Sequence, residues 1–155
     1  MANPVPAVLF VCLGNICRSP LAEAAMQHEA LAARLTLDID SAGTGAWHVG
    51  NPPDPRSIAE AARHGIDISH YAARQVTTED FHRFDHIVAL DRSNLANLQR
   101  LAPDDGTANL SMLMDHVPGM AGRDVNDPYY GEPRDFARTW REVLAGARGL
   151  LGKLA

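Results

Sequence analysis

The sharpest change of pattern along the chain comes near its N-terminal end. Residues Ala7-Val8-Leu9-Phe10-Val11 form an unbroken apolar run that ends in Cys12. Its length and β-favouring composition predict a buried strand. Gly14 and Asn15 follow, the residue types most tolerant of positive φ, so a tight loop is expected there. Ser19-Pro20 then reads as an N-cap with a first-turn proline, opening a helix at about Leu21.

Downstream, apolar periods of 3.6 and 2 alternate. Leu21, Ala25, His28, Ala32 and Leu35 trace one helical ridge, interrupted by His28. Residues 35–42 alternate Leu35, Leu37 and Ile39 with Thr36, Asp38 and Asp40, the signature of a half-buried strand. A β-α-β unit with parallel strands follows. Residues 43–53 are a Gly/Pro-rich loop carrying Trp47. Arg56 to His64 reads as a helix stopped by Gly65, and Thr77 to Asp80 offers caps for a short helix reaching Arg83. His86 to Asp91 is a third buried strand ending in a carboxylate, Ser93 to Leu101 a short helix closed by Pro103, and Ala108 to Met114 a weaker fourth strand. After a long loop over 117–134, Phe136, Trp140, Val143, Ala147, Leu150 and Leu154 recur at spacings of four and three, a long amphipathic helix. The expected fold is α/β: a doubly wound, four-stranded parallel sheet flanked by helices, as a single domain over residues 1–155. In such sheets ligands sit at the carboxyl ends of strands near a topological switch point. Cys12, Ser41 and Asp91 all fall at predicted strand ends.

Composition narrows the function. The chain has 155 residues, 46% hydrophobic and 21% charged, an ordinary soluble balance. No run approaches the roughly 20 apolar residues of a membrane span. The first dozen residues lack Lys and Arg and so do not resemble a secretory signal. A cytoplasmic location is expected, with no membrane partner. Net charge is −5 and no basic stripe is visible, which argues against nucleic acid. Two cysteines, Cys12 and Cys17, build neither a disulfide framework nor a four-thiolate zinc site. The seven histidines show no ligand spacing. Neither metal nor cofactor is expected.

The candidate chemistry lies in the loop after the first strand. Strand, loop and helix N-terminus form a concave nest of backbone N–H groups suited to an anion. Cys12 enters that nest, where helix dipole and amides favour the nucleophilic thiolate, and Arg18 leaves it, able to grip phosphate bidentately. The Lys of a nucleotide-binding loop is missing, so a single phosphoryl group is the expected cargo. An isolated cysteine at a strand end is ordinarily a small buried hydrophobe, but the Cys-x5-Arg-Ser spacing between a strand and a capped helix argues for chemistry.

Val11-Cys12-Leu13-Gly14-Asn15-Ile16-Cys17-Arg18-Ser19-Pro20 resembles the signature of the low-molecular-weight protein tyrosine phosphatases. The resemblance continues through Ser41-Ala42-Gly43-Thr44, Trp47, Pro53-Asp54-Pro55-Arg56, Ala73-Arg74-Gln75, Leu90-Asp91 with Ser93-Asn94-Leu95, and Asp127-Pro128-Tyr129-Tyr130. It implies that Cys12 attacks phosphorus and becomes a cysteinyl-phosphate. It further implies that Arg18 and the loop residues Leu13, Gly14, Asn15, Ile16, Cys17 and Ser19 hold the phosphoryl oxygens, with the Ser19 hydroxyl easing departure of the thiolate. Asp127 would be the general acid and then the base. Leu13, Trp47, Tyr129 and Tyr130 would wall an aryl cleft. Asn15, Ser41 and His70 would brace the loop, Asp91 would support it, and Cys17 would trap an oxidised Cys12 as a reversible disulfide. The implied partners are tyrosine-phosphorylated proteins, with inorganic phosphate or oxyanions as inhibitors, and the implied state is a monomer or weak dimer.

Two other classes share parts of this pattern. Thiol-coupled arsenate reductases have a similar loop but need a further cysteine pair, and no cysteine follows Cys17 here. A phosphocysteine carrier, or an inactive phosphate-binding module, would need no general acid with an aromatic cleft.

Overall fold

Among the described residues, strand β1 (Ala7–Cys12) is the only strand buried at every position. That accounts for its continuous apolar run: a central parallel strand covered on both faces has no polar side to alternate with. The computed structural model describes residues 5–155. Helix α1 (Arg18–Ala32) leads to β2 (Asp38–Gly43), followed by helices α2 (Pro55–Arg63) and α3 (Asp80–Arg83). Strand β3 (His86–Ala89), helix α4 (Arg92–Leu101), strand β4 (Asn109–Met112) and helix α5 (Pro133–Leu154) complete the chain, with a 3-10 turn over Leu113–His116.

All strand pairs are parallel, in the order β2-β1-β3-β4, with Phe10 beside Ser41 on one side and Val88 on the other. Side chains alternate across β1. Val8, Phe10 and Cys12 enter the core beneath α1 and α5, whereas Ala7, Leu9 and Val11 pack with Phe81, Phe84 and Leu98 on the opposite face. Both faces are thus covered, as a doubly wound sheet requires. The chain leaves β1 toward β2 and later returns on its other side to β3. The carboxyl end of β1, where Cys12 stands, is therefore the switch point.

Several expectations shift in detail. Helix α1 begins at Arg18, so Ser19 and Pro20 lie inside its first turn; Cys17 is the capping residue and makes no side-chain cap bond. Ser19 is not an N-cap because its hydroxyl is engaged with Cys12 and Asn15. In the loop after β1, Asn15 takes positive φ, at 58°, while Gly14 does not. The ridge on α1 fails in its second half: residues Arg18–Met26 are all buried, lying under α2 and α5, but His28 and Ala32 are exposed. β2 starts at Asp38 and is buried only over its last three residues. The fourth strand stops at Met112, where the chain tightens into the 3-10 turn and buries Leu113 and Met114. α2 ends as expected, with Gly65 at φ 79° just beyond its cap.

Candidate active site

The loop between β1 and α1 is shaped by Asn15. Its left-handed backbone turns the chain, and its N–H donates to Cys12 Sγ at 3.3 Å. Its side-chain amide donates to Ser19 Oγ at 2.8 Å and to Ser41 Oγ at 3.0 Å, while its carbonyl accepts from Arg74 N at 3.0 Å. With its oxygen already accepting from Asn15, the Ser19 hydroxyl can aim its proton at Cys12 Sγ, 3.0 Å away. Cys12 itself is buried and unpaired in any disulfide.

Gly43 makes this closeness possible. A Cβ there would stand 2.8 Å from Leu13 O and 3.2 Å from Asn15 N, so β2 approaches the loop only without a side chain. Thr44 N and Gly45 N then donate to Cys12 O and Leu13 O, both at 2.9 Å, fastening the next loop to this one.

Arg18 is 3% exposed, and its guanidinium is held from outside the loop. Nη1 donates to Asp91 Oδ2 at 2.7 Å and to Val125 O at 3.0 Å. Asp91 performs two tasks, since its other oxygen caps α4 by accepting from Asn94 N at 2.7 Å. Burial works against the Arg18 charge, but the Cys12 sulfur, Asp91 and Asp127 more than offset it, so the guanidinium stays protonated beyond its ordinary range.

Asp127 stands at the mouth, with Oδ2 3.6 Å from Arg18 Nη2, and accepts from Tyr129 N at 3.1 Å. It shares a cleft of about 220 Å3 with Cys12, Leu13, Gly14, Ile16, Cys17, Arg18, Trp47, Tyr129 and Tyr130; His48 is a further lining residue. Tyr129 and Tyr130 meet edge to face, ring centres 4.9 Å apart. Tyr130 is 97% exposed and Trp47 71%, leaving a large apolar rim in solvent.

Cys17 is a buried thiol whose surroundings oppose ionisation. Burial first, then the nearby Asp54, Cys12 and Asp127, push it up to about 12, with Arg56 opposing them. It remains protonated and weakly nucleophilic at neutral pH.

The bracing extends beyond the residues expected. Ser41 accepts from Asn15 of the loop, and its own hydroxyl donates to buried Glu23 Oε1 at 2.6 Å. Burial raises Glu23 to about 7, with Asp40 adding to the rise and Ser41 and Arg74 opposing it. Arg74, besides its bond to Asn15, joins Asp40 at 3.1 Å and Asp80 at 3.0 Å. His70 does not act as a brace among the described residues. It is exposed, packs edge-on against Tyr71, and lines a separate polar cavity with Asn15, Glu23 and Ser41.

Asp54 and Arg56 also went unforeseen as site residues. Asp54 N donates to Ile16 O at 2.8 Å, and its carboxylate caps α2 and grips Arg56. Arg56 reaches on to Tyr129 O at 2.9 Å and Gly131 O at 3.1 Å. The pair thus ties the Asp127 loop to the Cys12 loop. The Asp-Pro step at 54–55 signals a cap and a first helical proline, but nothing local announces the reach of Arg56.

A family profile described as "Low molecular weight phosphotyrosine protein phosphatase" matches residues 7–155. The low molecular weight protein-tyrosine-phosphatase of Streptomyces coelicolor is 45% identical over 149 residues, 93% of this chain and 90% of its own. The low molecular weight phosphotyrosine protein phosphatase of Schizosaccharomyces pombe is 42% identical over 151 residues, 96% of each chain. The crystal structure of YfkJ from Bacillus subtilis superposes with a TM-score of 0.90 at 38% identity, over 98% of this chain and 96% of that one. The profile runs from the strand that carries Cys12, through the loop that carries Asp127, to the helix that closes the sheet, and the chain belongs to the low molecular weight phosphotyrosine protein phosphatase family.

Proposed function

We propose that Cys12, Arg18 and Asp127 hydrolyse protein phosphotyrosine, the reaction of the chain's family, in two transfers through Cys12. One observation carries the assignment of roles: the sulfur, the guanidinium and the carboxylate line one cleft, though they come from the end of β1, the start of α1 and a loop far along the chain.

Cys12 Sγ attacks phosphorus in line, and the S–P bond forms as the P–O bond to the aryl oxygen breaks. Asp127 gives its proton to that oxygen, needed because a phenol has a pKa near 10. Arg18 and the N–H groups of Leu13, Gly14, Asn15, Ile16 and Cys17 receive the equatorial oxygens and their charge. Asp91 and Val125 fix Arg18 Nη1, leaving the remaining N–H groups for phosphate. In the second step Asp127 takes a proton from water, whose oxygen bonds to phosphorus as the S–P bond breaks and phosphate leaves. The returning thiolate is met by the Ser19 hydroxyl, which Asn15 has oriented.

Leu13, Trp47, Tyr129 and Tyr130 form the walls for the aryl ring. Cys17, a neighbour lining the same cleft, would resolve a sulfenic acid on Cys12 by forming the Cys12–Cys17 disulfide with loss of water. Tyrosine-phosphorylated proteins are the substrates and oxyanions such as phosphate are competitive inhibitors. The chain acts as a single domain over residues 1–155, in the cytoplasm, as a monomer or weak dimer. Among the described residues no helix is long and apolar enough to cross a membrane.

The test is release of phosphate from p-nitrophenyl phosphate at mildly acid pH, paired with Cys12→Ser as a trap. Wild type turns the ester over, while Cys12→Ser is inert yet retains phosphotyrosine proteins. A wild-type protein that retains phosphotyrosine without releasing phosphate is a binding module, and overturns the reading.

A further inference from the structure

A second depression opens on the far side of Trp47. Thr44, Gln75, Asn97 and Arg100 line it, and it shares Leu13 and Trp47 with the catalytic cleft. The two hollows therefore adjoin at Leu13 and Trp47. The second is also firmly built. Thr44 and Gly45 are bonded to the backbone of Cys12 and Leu13, Gln75 Nε2 donates to Thr44 O at 3.1 Å, and Val76 N donates to Gly43 O at 2.8 Å. Gly45 lets the Trp47 indole lie against the chain, because a Cβ there would collide with the ring.

Two of its polar groups are left incompletely matched. Thr44 Oγ1 is buried without a hydrogen-bond partner. Arg100 donates to Asn97 and pairs with no carboxylate among the described residues. Among the described residues it is the only charged side chain lining the depression, in a chain of net charge −5. An uncompensated cation beside neutral walls complements a carboxylate, and in an acidic protein such a local patch must do the attracting.

We propose that this depression is a subsite for the polypeptide flanking the phosphotyrosine, and that Arg100 there selects an Asp or Glu side chain. The proposal rests on the phosphotyrosine reading above and extends it to sequence preference. A phosphotyrosine whose phosphate reaches Cys12 leaves its own backbone at the rim formed by Leu13 and Trp47. An extended chain advances about 3.3 Å per residue with side chains alternating in direction, so near neighbours of the phosphotyrosine pass over the Trp47 wall. The unpartnered Thr44 hydroxyl faces the backbone of that segment, and Arg100 its acidic side chain.

The experiment uses phosphotyrosine peptides carrying Asp, Ala or Lys at each of the two positions before and after the phosphotyrosine. The readout is kcat/KM for each peptide divided by that for p-nitrophenyl phosphate, which has no flanking residue. Wild type is expected to favour Asp over Ala by about two- to fivefold at one or more of these positions. Arg100→Ala should erase that preference, and Arg100→Glu should turn it toward Lys. Arg100 is exposed on α4, so both variants should keep the wild-type melting temperature, and a drop shared by all substrates cancels in the ratio. No Asp preference in wild type, or one that survives in Arg100→Ala, overturns the subsite. So does self-association that Arg100→Glu abolishes while peptide preference stays flat, which assigns the depression to a second copy of the chain. In each of these results continued turnover of p-nitrophenyl phosphate leaves the phosphatase reading standing, whereas failure to hydrolyse any substrate overturns that reading itself.

Discussion

Ser41 gives its hydroxyl proton to Glu23 Oε1 at 2.6 Å and with the same oxygen accepts from Asn15. A buried carboxyl on α1 is thereby linked through Ser41, Asn15 and Ser19 to the sulfur of Cys12. The groups facing Glu23 are Asp40 from β2, Arg74 and Tyr71 from the loop before α3, and Gln27 from its own helix, with His70 across the same cavity.

That link sets a pH dependence of stability. Glu23 is raised in the fold to about 7, from an ordinary 4.5. Between those values the folded chain holds a proton that the unfolded chain has released, so this group's contribution falls as pH rises through the window. The displacement corresponds to about 3 kcal/mol at most. Urea unfolding of wild type and Glu23→Gln from pH 4.5 to 8 should show the difference moving in favour of the variant by up to that amount, then levelling off. A constant difference across the range means that Glu23 is not raised.

Asp127 should reveal itself through the leaving group. Asp127→Ala should slow phenyl phosphate by about 10²- to 10⁴-fold. Esters of strongly acidic phenols, which leave without a proton, should suffer far less. Aryl phosphates of graded phenol acidity give the comparison. Equal slowing across the series removes Asp127 from the acid role.

Arg56 offers a subtler test of position. Its guanidinium holds the carbonyls of Tyr129 and Gly131, and so the loop carrying Asp127. Arg56→Ala should lower kcat for phenyl phosphate by about tenfold, with the same leaving-group bias as Asp127→Ala but milder. Arg56→Lys, which cannot reach both carbonyls in one plane, should recover only part of the loss. A fall in melting temperature without that bias would make the residue purely structural.

Much of this was legible along the chain because the central elements carry strong local signals. β1 is apolar throughout since both its faces are covered, and α5 keeps its period over its whole length because one face meets the sheet layer. Cys12, Arg18 and Asp127 stand out by residue type and spacing. What stayed hidden depends on contacts between distant segments. Gly43 reads as an ordinary loop glycine, yet it is required by the closeness of Leu13 and Asn15. Glu23 sits in a sequence rich in helix formers, where a glutamate ordinarily faces water, and is buried against Ser41 and Asp40 of β2 and the loop that carries Tyr71 and Arg74. The missing half of the α1 ridge has a similar origin, since burial along α1 follows the segments packed on it, α5 and β2 foremost after the helix leaves the loop, rather than the helix's own period. His70 shows the converse: a residue matched by motif whose side chain is exposed, while Glu23 and Arg74 take up the bracing.

The most direct measurement is rapid acid quenching of wild type mixed with excess p-nitrophenyl phosphate. The expected result is a burst of nitrophenol approaching one per chain, with a phosphoryl group on the peptide containing Cys12 and on no other. No burst and no phosphate on Cys12 during steady turnover, with hydrolysis persisting in Cys12→Ser, would contradict the account.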